Sequence, residues 1–183
     1  MNILDIYDQI TSATIGDIEV SRAAPTPGWV VARQHQSRHW AREFLANDGE
    51  HWMDVIEPDS PEAARVLWDA VELALAAAFD HAAAPTDRDG IDGPTDITDI
   101  TDRLTSVRFG SIRVFRAVAE EGWIIARTPD DRPYARELLS AVDAETWISI
   151  SDLADPANPA ASMVLWPNPE AALFTACDHA GRR

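Results

Sequence analysis

An internal repeat constrains this chain more than any other feature of its sequence. Residues 4–46 align without a gap on residues 98–140, and 19 of the 43 aligned pairs are identical. Beyond this stretch the spacing widens slightly, and Trp52 matches Trp147. Self-similarity at a fixed spacing is typical of one structural unit that occurs more than once. The repeat therefore predicts a tandem duplication whose two copies form a pseudo-dimer.

Three segments follow from this alignment. We expect a first repeat at 1–82 and a second repeat at 96–183, separated by a linker at 83–95. The linker is acidic and rich in Pro and Gly, a composition that is typical of turns. The end of the second repeat has diverged and is rich in proline, which breaks helices because it lacks an amide donor. Its prolines are Pro156, Pro159, Pro167 and Pro169.

Hydrophobic spacing predicts the order α-β-β-α-β-α in each repeat, an α+β fold in which helices cover antiparallel sheets. Apolar residues at helical spacing in 3–10 indicate the first helix, and the alternation around Ile18 and Val20 indicates a strand. Ser37 is a suitable N-cap for a second helix. That helix would present these side chains on one face: Trp40, Ala41, Phe44 and Leu45.

The last predicted element of the first repeat is a long helix with Ser60 as its N-cap and an apolar face that extends to Phe79. The second repeat differs here, because its prolines exclude one continuous helix. For that part we predict a strand at 162–166 and a helix that begins at Asn168 and ends near His179.

The chain is strongly acidic. It carries 31 acidic residues against 15 basic ones, a net charge of −16 and a pI near 4.5. Binding to nucleic-acid phosphates or anionic lipids requires clustered basic side chains, so we expect no direct nucleic-acid contact and no membrane contact. The amino terminus lacks the order of a signal peptide, and we expect a cytoplasmic protein. Residues 1–82 contain 14 acidic residues and five arginines, so the first repeat is the more acidic one.

Two possible catalytic or metal sites are disfavoured by the repeat. Cys177 and His179 suggest a thiol nucleophile, but Cys177 aligns with Phe79 of the apolar helix face, which favours a core position. His35, His39 and Glu43 have the spacing of metal ligands on one helix. Both histidines are replaced by proline in the second repeat. We therefore predict no metal, no cofactor and no catalytic residue.

Candidate binding residues are those that recur between the repeats or add to the acidic surface. Trp52 and Trp147 lie on the more polar face of a predicted strand, where they either form a contact surface or are covered by a helix. Arg33 and Arg127 recur as well, either at the solvated ends of strands or as contacts for an anionic ligand. The acidic candidates are Asp54, Glu57, Asp69 and Glu72.

These observations favour a non-catalytic binding protein, of the inhibitor, chaperone or adaptor type, that docks on a basic or neutral protein. The partner could itself bind nucleic acids. The alternative is an enzyme or small-ligand binder with a pocket at the seam between the two repeats. The oligomeric state is not predicted by the sequence.

Overall fold

The computed structural model describes residues 3–55, 57, 59–82, 104–117, 121–153 and 159–182. The chain divides into two compact units. The first unit is Ser12–Thr105, and the second unit combines Met1–Thr11 with Ser106–Arg183. The amino-terminal helix α1 (Ile3–Gln9) thus belongs to the second unit and not to the segment that follows it. The predicted linker at 83–95 lies outside the described residues.

The first unit contains an antiparallel sheet in which each strand pairs with the next one along the chain. Two helices follow the sheet, and the second of them packs on β1, β2 and β3. The elements are β1 (Ser12–Ile15), β2 (Ile18–Arg22), β3 (Trp29–Gln34), β4 (Arg42–Leu45), β5 (Trp52–Met53), α2 (Pro61–Arg65) and α3 (Val71–Ala82).

The second unit repeats this order of strands and helices. Its last helix packs on the second and third strands of its sheet and also against α1, where Ile6 and Ile10 are buried. A 3-10 turn at Ile150–Leu153 precedes the helices. The elements are β6 (Leu104–Phe109), β7 (Ile112–Arg116), β8 (Trp123–Arg127), β9 (Glu137–Leu139), β10 (Trp147–Ser149), α4 (Ala160–Met163) and α5 (Pro169–Gly181).

A tryptophan pair fixes the connection between the two helices in each unit. Trp29 and Trp68 exchange two backbone hydrogen bonds of 2.8 Å, and the Trp68 indole donates to the carbonyl of Leu45. Gly28 has a φ of +129°, and a Cβ there would lie 3.2 Å from the Trp68 carbonyl oxygen. Only glycine tolerates this backbone conformation beside so close a neighbour.

The second unit contains the same arrangement. Trp123 and Trp166 exchange two backbone hydrogen bonds of 2.8 Å, and the Trp166 indole donates to the Leu139 carbonyl. Gly122 has a φ of +153°, and a Cβ there would lie 3.3 Å from the Trp166 carbonyl oxygen. The repeated Gly-Trp dipeptide therefore has a structural role in both units.

The α+β class is confirmed, but the predicted order α-β-β-α-β-α is wrong. The segment after Ser37 forms a loop and strand β4 instead of a helix. Ser37 does not cap a helix, because its backbone N–H donates to the Nδ1 atom of His35 within the loop. The β4 backbone pairs with β3, and Glu43 lies opposite Arg33. Cross-strand pairing thus overrides the local helical pattern.

The predicted helix from Ser60 to Phe79 is divided in two. Ser60 caps α2, as predicted, and Pro61 occupies the first helical position. The helix then ends because the Trp68 backbone pairs with Trp29 and cannot join a helical ladder. The helix α3 therefore begins at Val71.

Two expectations for the end of the second repeat had different outcomes. The predicted strand at 162–166 is wrong, because α4 occupies Ala160–Met163 and only Trp166 forms a β-bridge. The predicted cap is confirmed, since Asn168 Oδ1 accepts the backbone N–H of Glu170 at the start of α5. Cys177 is fully buried on α5, as predicted.

Candidate functional site

Four side chains form what we call the Trp52 cluster: Arg33, Glu43, Trp52 and His81. Arg33 Nε lies 2.5 Å from Glu43 Oε1, and its guanidinium carbon lies 3.8 Å from the Trp52 ring centroid. The Trp52 indole N–H donates to His81 Nδ1 at 3.3 Å. The opposite ring nitrogen, Nε2, lies 2.8 Å from the Gly49 carbonyl oxygen. The imidazole therefore carries its proton on Nε2, because Nδ1 must accept.

Corresponding side chains form the Trp147 cluster: Arg127, Glu137, Trp147 and His179. Arg127 Nε donates to Glu137 Oε2 at 2.8 Å, and its guanidinium carbon lies 4.1 Å from the Trp147 ring centroid. His179 meets Trp147 edge to face and contacts the Ala144 carbonyl oxygen at 2.8 Å. This cluster has one additional member, since Arg132 also donates to Glu137 at 2.7 Å.

Both tryptophans face the core side of their sheets. Trp52 lies opposite the fully buried Leu45, and Trp147 lies opposite the fully buried Leu139. The expectation that they occupy the more polar, opposite face is therefore wrong. Both are half-buried against the last helix of their unit. A role for them in binding stays a prediction.

Arg33 and Arg127 are each tied to a carboxylate and an indole of their own unit. Both side chains are half-buried, and each links the carboxylate of its fourth strand to the indole of its fifth strand. The structure therefore gives these arginines a positioning role, and their use in a ligand site stays a prediction.

The acidic candidates lie apart along the first unit. Asp54 forms an ion pair with Arg38 and lies 3.9 Å from His35 Nε2. Glu57, Asp69 and Glu72 are exposed. The histidines considered as metal ligands lie in the loop between β3 and β4, so they do not share a helix with Glu43.

Exposed charge differs strongly between the two units. Among the described residues of the first unit, ten carboxylates are exposed, compared with three arginines. The second unit is nearly balanced, with seven exposed carboxylates and six exposed arginines among its described residues. We call the first set the acidic surface. It comprises Asp17, Asp48, Glu50, Asp54, Glu57, Asp59, Glu62, Asp69, Glu72 and Asp80.

Two aromatic side chains at aligned positions lie on the surface, a placement that the helical pattern after Ser37 does not predict. Trp40 is 85% exposed and Tyr134 is 92% exposed, each in the loop that joins the third and fourth strands of its unit. A turn holds each loop, with Ala41 N–H donating to Arg38 and Ala135 N–H donating to Arg132. Two prolines within the second loop, at positions 129 and 133, are the sequence signal against a helix there.

Aspartates organise the turn between the fourth and fifth strands of each unit. Asp48 accepts backbone N–H groups of Glu50 and His51 and contacts the His51 ring. These contacts, above all the Glu50 N–H, lower the pKa of Asp48 to about 2. In the other unit the Thr146 hydroxyl and neighbouring backbone N–H groups hold the pKa of Asp143 well below its usual range.

Comparison of the chain with protein-family models, curated proteins and solved structures found no match. Within the described part of the chain, no helix is long and apolar enough to cross a membrane.

Proposed function

We propose that this chain is a tandem duplication that serves as a non-catalytic binding protein, and that the acidic surface of the first unit docks on a basic protein. The single observation that carries the proposal is the charge difference between the units. Ten exposed carboxylates against three exposed arginines distinguish the first unit from the balanced second unit. A net charge of −16 for the whole chain does not by itself require such an uneven distribution.

The physical basis of this recognition is long-range attraction. A surface with one sign of charge accelerates encounter with an oppositely charged partner and repels partners of its own sign. Because the carboxylates are exposed, salt screens them effectively, with a Debye length of about 10 Å at 0.1 M and about 3 Å at 1 M. Binding through the acidic surface should therefore weaken steeply as salt is added.

Exposed aromatic side chains supply the second kind of contact that a specific interface needs. Tryptophan and tyrosine are enriched among the residues that contribute most to protein–protein affinity. Trp40 and Tyr134 are the two most exposed of the large hydrophobic side chains described. Their aligned positions in two units support a shared role in contact, since a single exposed apolar residue would need no explanation.

The test is affinity capture from a lysate of the source organism, with proteins identified by mass spectrometry and each hit then purified. One variant carries Glu57→Gln, Glu62→Gln and Glu72→Gln in the first unit. A matched control carries Glu121→Gln, Glu145→Gln and Glu170→Gln in the second unit. All six glutamates are exposed, so both variants remove the same charge from the surface.

We expect a basic protein that binds the wild type and the control variant but binds the first-unit variant at least tenfold more weakly, since three charges are lost from the encounter surface. Raising the salt from 0.1 M to 0.5 M should reduce binding in parallel. Equal loss of binding in both triple variants, or binding indifferent to salt, would contradict the proposal. Competition by DNA for the purified partner would identify that partner as a nucleic-acid-binding protein.

A further inference from the structure

Two arginines project together from the face of the second sheet that lies opposite α5. Arg108 on β6 and Arg113 on β7 are direct cross-strand partners, and both are exposed. Val114, the next residue on β7, is fully buried on the side where α5 packs. Because successive residues of a strand alternate between its faces, the two arginines lie on the other side. Like charges directly opposite each other destabilise a sheet, so an anion bound between them would stabilise the fold.

A comparison with the first unit adds a third arginine to this pair. Arg42 on β4 forms an ion pair with Glu19 on β2, so a side chain at the start of the fourth strand reaches the second strand. The gap-free alignment places Arg136 at the position of Arg42 and Arg113 at the position of Glu19. The strand registers of the two units agree here, and Arg136 is exposed. We call Arg108, Arg113 and Arg136 the arginine cluster.

The charge of the arginine cluster is not neutralised within the part of the chain that the structure describes. No carboxylate there forms an ion pair with any of its three members, whereas Arg132 and Arg182, exposed arginines of the same unit, each have one. Arg113 Nη2 lies 3.5 Å from the hydroxyl oxygen of Ser106, a neutral group. The aligned residues of the first unit are Thr14, Glu19 and Arg42, whose charges cancel. The second unit thus carries three positive charges where the first unit carries none.

We propose that the arginine cluster binds a phosphate group, either as inorganic phosphate or as a small phosphate monoester. Guanidinium groups match phosphate oxygens in geometry, and a phosphate monoester carries about 1.5 to 2 negative charges at neutral pH. A carboxylate has a single charge and two oxygens, too few to pair with three guanidinium groups. The net charge of −16 opposes the approach of a large polyanion such as nucleic acid. This site is independent of the acidic surface and of its protein partner.

The experiment titrates the full chain with sodium phosphate, with the pH and the ionic strength held constant by sodium chloride. NMR of the backbone amides of β6 and β7 reports the site, and we expect saturable shifts with phosphate and weaker binding of acetate. Methyl phosphate is titrated in parallel, and whichever of the two phosphates binds more tightly identifies the source of the group. Arg108→Gln and Arg136→Gln should each weaken binding roughly two- to fivefold, as expected for one exposed ion pair. Arg182→Gln is the matched control, since Arg182 is exposed but pairs with Asp178, and it should bind as the wild type does.

Arg113→Glu gives the second unit the carboxylate that the first unit has at Glu19. The new carboxylate should pair with Arg136 as Glu19 pairs with Arg42, and saturable phosphate binding should be abolished. The melting temperature in chloride should equal or exceed that of the wild type, because an opposed pair of like charges is removed. If this variant does not fold, the two glutamine variants decide.

Four results would overturn the proposal. The wild type shows no saturable shift with either phosphate, or acetate binds as tightly as phosphate. Arg113→Glu folds and binds phosphate as the wild type does. Arg182→Gln weakens binding as much as Arg108→Gln does, which would indicate a general effect of net charge instead of a site.

Discussion

The guanidinium of Arg33 forms an ion pair with the Glu43 carboxylate on β4 and stacks on the Trp52 ring on β5. Arg33 therefore links β3 to the two strands at the edge of the first sheet, β4 and β5. Trp52 continues the link to His81 at the end of α3. The Trp147 cluster has the same geometry, except that a second arginine also reaches its carboxylate.

This difference predicts unequal effects of two equivalent substitutions. Arg33→Gln removes the one cation that pairs with Glu43 among the described residues. Because the Glu43 side chain is only 12% exposed, the substitution should lower the free energy of unfolding by about 2 kcal/mol. Arg127→Gln should cost roughly half as much, because Arg132 remains on Glu137. Urea unfolding of both variants measures the difference. A larger loss for Arg127→Gln would contradict this account of the clusters.

The Gly-Trp dipeptides predict where glycine is indispensable. Gly28→Ala and Gly122→Ala would each place a Cβ within 3.2 to 3.3 Å of a tryptophan carbonyl oxygen in a positive-φ conformation. We expect a loss of about 2 to 3 kcal/mol for each substitution.

Gly110→Ala is the matched control. Gly110 also has a positive φ, +58°, but a Cβ there would have no atom within 4 Å. Its cost should be about 1 kcal/mol, from backbone conformation alone. Thermal unfolding of the three variants should separate the cost of the Cβ–carbonyl contact from the cost of a positive φ. Equal losses of stability in all three would show that the carbonyl contact is unimportant.

Much of the fold was predictable where the signal is local. The α1 helix and the caps Ser60 and Asn168 follow from short-range rules that the structure obeys. The buried position of Cys177 follows instead from its alignment with Phe79 in the other repeat. The β4 strand was not predictable in this way. Its four residues form a strand because Glu43 meets Arg33 across the sheet, a contact that no local pattern contains.

The candidate site likewise has features that the sequence predicts and features that it does not. Exposed charge in the first unit agrees with its acidic composition, since Glu57, Asp69 and Glu72 are exposed, as is usual for acidic residues. The position of Trp52 was assigned to the wrong face because a two-residue strand has no alternation to count. A shift of one residue moves a side chain to the opposite face of a sheet.

Acid should weaken the aspartate-organised turns. The pKa of Asp48 is lowered to about 2 in the folded state from 3.8, so its contacts stabilise the fold above about pH 4. This contribution is lost as the pH falls through about 2, because the protonated carboxyl no longer accepts the same hydrogen bonds. The pKa of Asp143 is lowered as well.

The corresponding measurement is the melting temperature of the wild type and of Asp48→Asn from pH 5 to pH 2. The wild type should lose more stability across this range than the variant, which has no carboxyl to protonate at this position. Glu50→Gln is the control, because it removes a neighbouring carboxylate that receives no backbone hydrogen bond among those described. Parallel curves for the wild type and Asp48→Asn would overturn this role of Asp48.

The exposed loop aromatics predict a separation of binding from stability. Trp40 and Tyr134 contribute little to the core, so Trp40→Ala and Tyr134→Ala should change the free energy of unfolding by less than about 0.5 kcal/mol. Loss of an aromatic contact at an interface typically costs about 2 kcal/mol, or roughly thirtyfold in affinity for the captured partner. Leu73→Ala is the control, since Leu73 is also exposed but lies on α3 outside both loops. Titration calorimetry with the purified partner distinguishes the cases: unchanged affinity in both loop variants would confine recognition to the acidic surface.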